Sequence, residues 1–238
     1  MSHRDILIAL FSYNEGEKLK TTISRFPSER DYDLLFIDDG SSDGSYEYLK
    51  SGGYTVLRHE SNRGIGCGIR EAIRFGRENR YKIIVIMAAN GKMQPEEIPR
   101  LTEPLINNRC DYVQGSRNLP GGQSPHLPLF RKIMIGLFTR IVNLFTGFKG
   151  TDITCGFRAY KLSLFDDPRF RLDQSWLDKY EMEYYIHYHT LRGGYRMTEA
   201  PVSMVYPEQS KDYSKIKPFS GWWSMVRPWI YLILKMRR

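Results

Sequence analysis

The sequence has little cysteine: Cys67, Cys110 and Cys155 are the only three in 238 residues, far apart and with no CxxC pair. Such spacing argues against a disulfide framework or a cysteine zinc site and suits a reducing compartment. No window approaches the roughly 20 consecutive apolar residues that carry a helix across a bilayer. The opening run, MSHRDILIALFSYNE, is too short and too soon interrupted for a secretory signal. A soluble or peripheral protein is therefore expected. No internal repeat or long linker divides the chain, so one domain over 1–210 with a tail over 211–238 is expected. Recognition-helix, RRM and OB signatures are missing, and no nucleic-acid partner is expected.

The hydrophobic content of 41% is enough for one sizeable core. The formal charge of +8 attracts phosphate-bearing partners, whether nucleic acid, anionic lipid or a phosphorylated small molecule, without choosing among them. Short apolar runs at 5–12, 34–37, 54–58 and 82–87 predict strands, the first buried on both faces and the second also buried. Helical spacing fills the intervals at 14–25, 45–50, after the glycine-rich segment 62–68, and from Pro95 onward. That rhythm implies βαβ units and a Rossmann-like, mostly parallel sheet flanked by helices. Further on, 129–145 reads as an amphipathic helix carrying Arg131, Lys132 and Arg140, 176–191 as an aromatic-rich helix, and 197–206 as a late strand.

Ligands of open α/β sheets bind beyond the carboxyl ends of the strands. There the chain places Tyr13-Asn14-Glu15, Asp38-Asp39 and Ala88-Ala89-Asn90. Taken alone, DDGSSDGS is equally a structural turn. Several polar strand ends on one edge favour a site, where carboxylates accept hydrogen bonds from a base N–H or a ribose hydroxyl.

Four segments occur in the order seen in inverting family 2 glycosyltransferases: Ser12-Tyr13-Asn14-Glu15, Asp38-Asp39-Gly40-Ser41, Asn62-Arg63-Gly64-Ile65-Gly66 and Gly115-Ser116-Arg117. Thr151 to Tyr160, TDITCGFRAY, resembles the corresponding segment of the polyprenyl-phosphate sugar synthases within that family. The resemblance implies a GT-A fold, a nucleotide-sugar donor and a lipid-linked acceptor at the inner face of a membrane. It implies a nucleotide pocket of Ser12, Tyr13, Glu15, Asp38, Asp39, Arg63, Gly64, Ala89 and Asn90, with Arg117, Arg131 and Arg158 toward phosphates. Arginine suits that role because its planar fork binds phosphate through two parallel hydrogen bonds. For Arg131 and Arg158 the alternatives are surface solvation or a structural ion pair.

One family feature is missing. Where D-x-D usually holds a divalent metal, this chain reads Ala88-Ala89-Asn90, leaving Asn90 as a weak, uncharged ligand. Three explanations stand: Lys92 supplies the positive charge at the leaving diphosphate; Mg or Mn binds weakly through Asn90 and the donor's own phosphates; or the protein binds nucleotide without catalysis. Transfer to a saccharide hydroxyl instead of a lipid phosphate would need a general base, for which Asp178 and Glu181, at i, i+3, are the candidates, with Glu183 pointing elsewhere. The tail, KIKPFSGWWSMVRPWIYLILKMRR, has the aromatic and basic character of an interfacial helix, with packing on the domain or on a second subunit as the alternative.

Overall fold

The computed structural model describes residues 4–207 and 220–237. Seven strands form one sheet: β1 (Ile6–Ser12), β2 (Tyr32–Asp38), β3 (Thr55–Arg58), β4 (Ile83–Ala88), β5 (Tyr112–Ser116), β6 (Arg158–Lys161) and β7 (Met197–Pro201), in the order β3-β2-β1-β4-β6-β5-β7. The first four strands are parallel; β6 enters antiparallel between β4 and β5, and β7 pairs parallel with β5. The helices are α1 (Glu17–Ser24), α2 (Ser45–Ser51), α3 (Ile65–Glu78), α4 (Ile98–Ile106), α5 (Leu129–Thr146), α6 (Glu181–Arg192) and α7 (Ser220–Ile233).

Side chains on a strand alternate between faces, and every residue of β1 is buried because both faces are covered. Ile6, Ile8 and Leu10 join Leu19 and Ile23 of α1, Leu49 of α2 and Ile98, Leu101 and Leu105 of α4 in one core layer. Leu7, Ala9 and Phe11 join Ile69, Ala72 and Ile73 of α3 and Met182, Tyr185 and Ile186 of α6 in the other. A third, smaller cluster fastens α5 and α7 to α6 through Phe138, Val142, Tyr184, Met225 and Trp229.

Two local expectations differ from the fold. The aromatic-rich helix begins at Glu181, after a 3-10 turn over Ser175–Leu177. The carbonyl of Asp178 is turned instead toward the start of α3, where it accepts the N–H groups of Gly66 and Cys67 at 2.9 and 3.1 Å. The late strand stops at Pro201, beyond which the chain makes only isolated bridges at Ser203 and Met204. Of the tail, α7 packs on α6, while 208–219, including Lys215, lies outside the described residues.

Candidate active site

Because β2, β1 and β4 are adjacent and parallel, their carboxyl ends share one edge of the sheet. Ser12 stands opposite Asp38 and Phe11 opposite Ala88. Asp38 is fully enclosed. Its Oδ2 accepts the Ser41 N–H at 3.2 Å and lies 3.7 Å from Arg58 Nε. Its Oδ1 and the neighbouring Ser12 Oγ are buried with no hydrogen-bond partner. Unpaired buried polar atoms are costly and uncommon, and two of them side by side at a strand end mark a place where a ligand supplies the partners. The adjoining loops are cross-tied: Asn14 N–H donates to Ser41 Oγ at 3.0 Å, and Ser42 N–H to Asn14 Oδ1 at 2.8 Å. This fixes the loop that carries an exposed Tyr13 and a half-buried Glu15.

Asp39 has a different task. Its Oδ1 accepts the Arg63 N–H at 2.8 Å and its Oδ2 the Gly64 N–H at 3.0 Å, while His59 Nδ1 lies 2.6 Å from Oδ1. Gly64, at φ 95°, is required here, since a Cβ would stand 2.5 Å from the Asp178 carbonyl oxygen. The sequence leaves Asp38 and Asp39 as equal candidates for holding the nucleoside. The geometry separates them into a carboxylate with an open acceptor and a carboxylate that ties the glycine-rich turn to β2.

The metal position does not fit a divalent ion. Ala88 offers no donor, Ala89 is fully buried in the core, and Asn90 Oδ1 accepts the Lys92 N–H at 3.3 Å. No carboxylate stands in this segment, whereas hard cations take charged oxygen ligands. Among the described residues one other trio, His59, Cys67 and Glu71, comes within 4.8 Å. Both ring nitrogens of His59 are already engaged by carboxylates, so that cluster is closed by its own hydrogen bonds.

The cations gather around Tyr206. Lys92 Nζ lies 5.5 Å and Arg131 Cζ 5.9 Å from its ring centroid, and Arg117 Nη1 donates to its hydroxyl at 2.7 Å. Arg117 is buried and forked onto Asp152, through Nε at 2.6 Å and Nη2 at 2.8 Å. Burial pushes the Asp152 carboxyl up, but the charge and hydrogen bonds of Arg117 outweigh it and hold the group below the usual carboxylate range. Lys92 from the loop after β4 and Arg131 from the first turn of α5 thus approach one ring from two elements.

The remaining candidates lie elsewhere. Arg158 is fully enclosed, donating to the carbonyls of Cys155, Glu183 and Ile153 at 2.8, 3.0 and 3.0 Å. Asp178 pairs with Arg70 at 2.6 Å. Glu181 is buried against α7, accepting from Ser224 Oγ and Arg227. Arg63 is an exposed side chain bonded to Glu71. Glu183, set aside on helical spacing, retains 12% side-chain exposure. It stands 3.5 Å from Arg158 Nε and beside Gly156 and Met93. Burial raises its pKa, with Arg158 opposing. Glu181 turns to α7 and Glu183 to Arg158, the divergence that i, i+2 spacing on a helix expects; the Arg158 contact is what the spacing does not reveal. Tyr206, Asp152 and His59 were given no role from the sequence; the Asp152 signal was available, since it is the second residue of the TDITCGFRAY segment.

A mostly parallel sheet with polar strand tips on one edge and arginines beside them is the frame of a GT-A glycosyltransferase. The chain belongs to glycosyl transferase family 2, whose model matches residues 8–167. It is 31% identical over 209 residues to an undecaprenyl-phosphate mannosyltransferase of Micrococcus luteus, covering 85% of this chain and 84% of that one. It is 26% identical over 211 residues to a polyprenol monophosphomannose synthase of Mycolicibacterium smegmatis, covering 85% and 78%. Among solved structures, glucosyl-3-phosphoglycerate synthase of Mycobacterium tuberculosis, in complex with Mn2+, UDP and phosphoglyceric acid, superposes with a TM-score of 0.67. That match covers 94% of this chain and 78% of that one at 14% identity, a likeness of fold.

Proposed function

We propose that this glycosyltransferase moves a sugar, with inversion, from a nucleotide-sugar to a polyprenyl phosphate at a membrane surface, without a D-x-D metal. The observation that carries this reading is the gathering of Lys92 and Arg131 on the Tyr206 ring, backed by Arg117. Two cations from separate elements suit a reaction that brings two anions together, the donor diphosphate and the acceptor phosphate. Asp38 Oδ1 and Ser12 Oγ take hydrogen bonds of the nucleoside, and Tyr13 and Glu15 line the same pocket.

The acceptor phosphate oxygen is already anionic and needs no base. It attacks the anomeric carbon from the face opposite the diphosphate; the new C–O bond forms as the old one breaks, and the nucleoside diphosphate leaves with the bonding pair. Lys92 meets the charge that grows on the leaving oxygen, the type of stabilisation that lowers such barriers most. Arg131 orients the acceptor phosphate. Arg117 and Arg158, committed to internal partners, hold the loops that carry these groups.

The surface fits a membrane partner. On α5 the residues Phe130, Ile133, Leu137, Ile141 and Leu144 are exposed, a stripe at spacings of three and four, while Ile135, Phe138 and Val142 face the core. Lys132, Arg140 and Lys149 are exposed around it; α7 adds exposed Trp223 and Ile230, and Leu234 is exposed just beyond it. No helix among the described residues is long and apolar enough to cross a membrane. An apolar stripe with basic flanks lies in the interfacial plane of an anionic bilayer, which places Arg131, on the same helix, where a lipid-borne phosphate arrives. Attachment to the inner face of that membrane is part of this proposal.

A second reading, transfer to a saccharide hydroxyl, is favoured by Glu183, a carboxylate of raised pKa and residual exposure suited to a general base. The test is transfer from labelled nucleotide-sugars to undecaprenyl phosphate or to oligosaccharide, with and without a chelator. Lipid-linked product that survives chelation, is abolished in Lys92→Ala and persists in Glu183→Gln supports the proposal. Product on oligosaccharide alone, lost in Glu183→Gln, replaces it with the second reading, and chelation that stops turnover refutes the metal-free assignment.

A further inference from the structure

His59, immediately after β3, is a buried titratable group beside the strand tips that the transfer chemistry leaves unused. Its N–H donates to the Asp38 carbonyl at 2.8 Å. Its ring nitrogens lie between two carboxylates, Nδ1 2.6 Å from Asp39 Oδ1 and Nε2 2.8 Å from Glu71 Oε2. Ionised carboxylates only accept hydrogen bonds, so both contacts are satisfied together when each nitrogen carries a proton, as in the imidazolium.

The charged and titratable surroundings favour that form. Asp39 faces the ring from the end of β2, and Glu71 and Cys67 from α3. Arg63, from the turn before α3, is drawn to Glu71 at 3.2 Å. Arg58, the last residue of β3 and the histidine's neighbour in the chain, is turned toward Asp38 and Glu47. The hydrogen bond to Asp39 raises the His59 pKa above its ordinary value, against the opposing effect of burial.

We propose that His59 is a positioning residue of the nucleotide site: its imidazolium ties Asp39 to Glu71 and, through Asp39, holds the Arg63–Gly64 turn against the nucleoside loops, so that nucleotide affinity falls when the ring loses its second proton. The inference rests on reading the strand tips as that site. The link is direct, because the carboxylate that meets His59 also accepts the N–H groups of Arg63 and Gly64. In the neutral ring one nitrogen turns a lone pair toward a carboxylate, and one side of the clamp is repelled. A pKa raised in the folded state means that the clamp is complete below the ordinary histidine value and is lost as pH rises through the raised one.

The experiment is calorimetric titration of the full chain with UDP, and in parallel GDP, from pH 6 to 9, in the wild type and in His59→Gln. The protonation of His59 is followed by NMR of the ring nitrogens. The wild type loses about tenfold in affinity, the scale of one charge-assisted hydrogen bond, relative to the variant, over the interval in which the ring titrates. The variant is weaker at pH 6, and its own profile, which contains the titration of the ligand, is the baseline. Parallel profiles in the two proteins overturn the proposal while leaving the nucleotide site standing, as does a His59 ring already neutral at pH 6. Absence of binding by either nucleotide at every pH removes both.

Discussion

Asp152→Asn preserves the shape of a side chain and deletes its charge at the most enclosed ion pair beside the site. Asp152 accepts from Arg117 N–H, Nε and Nη2 at 3.2, 2.6 and 2.8 Å and from Thr154 N–H and Oγ1 at 3.2 and 2.9 Å. The two paired side chains are 4% and 0% exposed. Neutralising one partner of such a pair costs about 3–5 kcal/mol, because the guanidinium stays buried without a counter-charge. A domain of this size loses about 2–4 °C of Tm per kcal/mol, giving a fall of about 6–20 °C. Asp5→Asn is the control: its partner Lys82 and Asp5 itself are 72% and 51% exposed, and such a pair contributes at most about 1 kcal/mol. Circular dichroism melts at pH 7 compare the two. The depressed Asp152 pKa adds a sign: its stabilisation is present above the ordinary carboxylate pKa and is lost as pH falls through the folded value, so wild type and variant converge in acid. A variant that melts within about 2 °C of the Asp5→Asn protein would refute the reasoning.

Three further outcomes are expected. His187 is fully buried among Tyr112, Phe148 and Trp229, with neither nitrogen hydrogen-bonded, and burial holds its pKa well below the ordinary value; that of His189 falls to about 4, also chiefly by burial. The unfolded chain takes up protons below about pH 6.5 that the fold refuses, so stability drops by up to about 1.4 kcal/mol per pH unit per histidine on acidification. His187→Phe lessens that slope and stabilises at pH 5 by about 1–3 kcal/mol; urea midpoints from pH 7 to 5 check it, and an unchanged slope contradicts it. Gly66→Ala places a Cβ 1.9 Å from the Leu177 carbonyl oxygen; a loss of about 3 kcal/mol is expected from the forced backbone shift, and an unaltered urea midpoint contradicts the packing. Ile133→Glu with Leu137→Glu abolishes flotation with anionic liposomes without lowering Tm, since both side chains are exposed; flotation equal to wild type removes the α5 attachment.

The sequence made the first half of the sheet legible because β1, β2 and β4 are buried on both faces and read as unbroken apolar runs. β5 and β6 escaped notice because each is short and carries a buried polar side chain, Gln114 or Arg158, inside the sheet. Those groups are tolerated because Gln114 donates to the Cys155 carbonyl, and Arg158 to that carbonyl and to those of Ile153 and Glu183; the Gln114–Cys155 and Arg158–Glu183 pairings join segments distant along the chain. The same limit applied to the site. The resemblance and residue type single out Asp38, Lys92, Arg117 and Arg131 as candidates, yet which carboxylate is open and which arginine is enclosed depends on neighbours that no local pattern reveals.

The turn Asn62-Arg63-Gly64-Ile65-Gly66 leads into α3, and open amides at a helix start are suited to phosphate. Four amides here are already taken: those of Arg63 and Gly64 by a carboxylate, those of Gly66 and the following Cys67 by a carbonyl. The positive pole of α3 is thereby answered from within the protein. In the proposed reaction a diphosphate would find none of these four amides open, and its charge would fall to the ammonium of Lys92 on its long stem. Such a tether follows a leaving group as it withdraws, so product departure need not tear the anion from a fixed backbone seat.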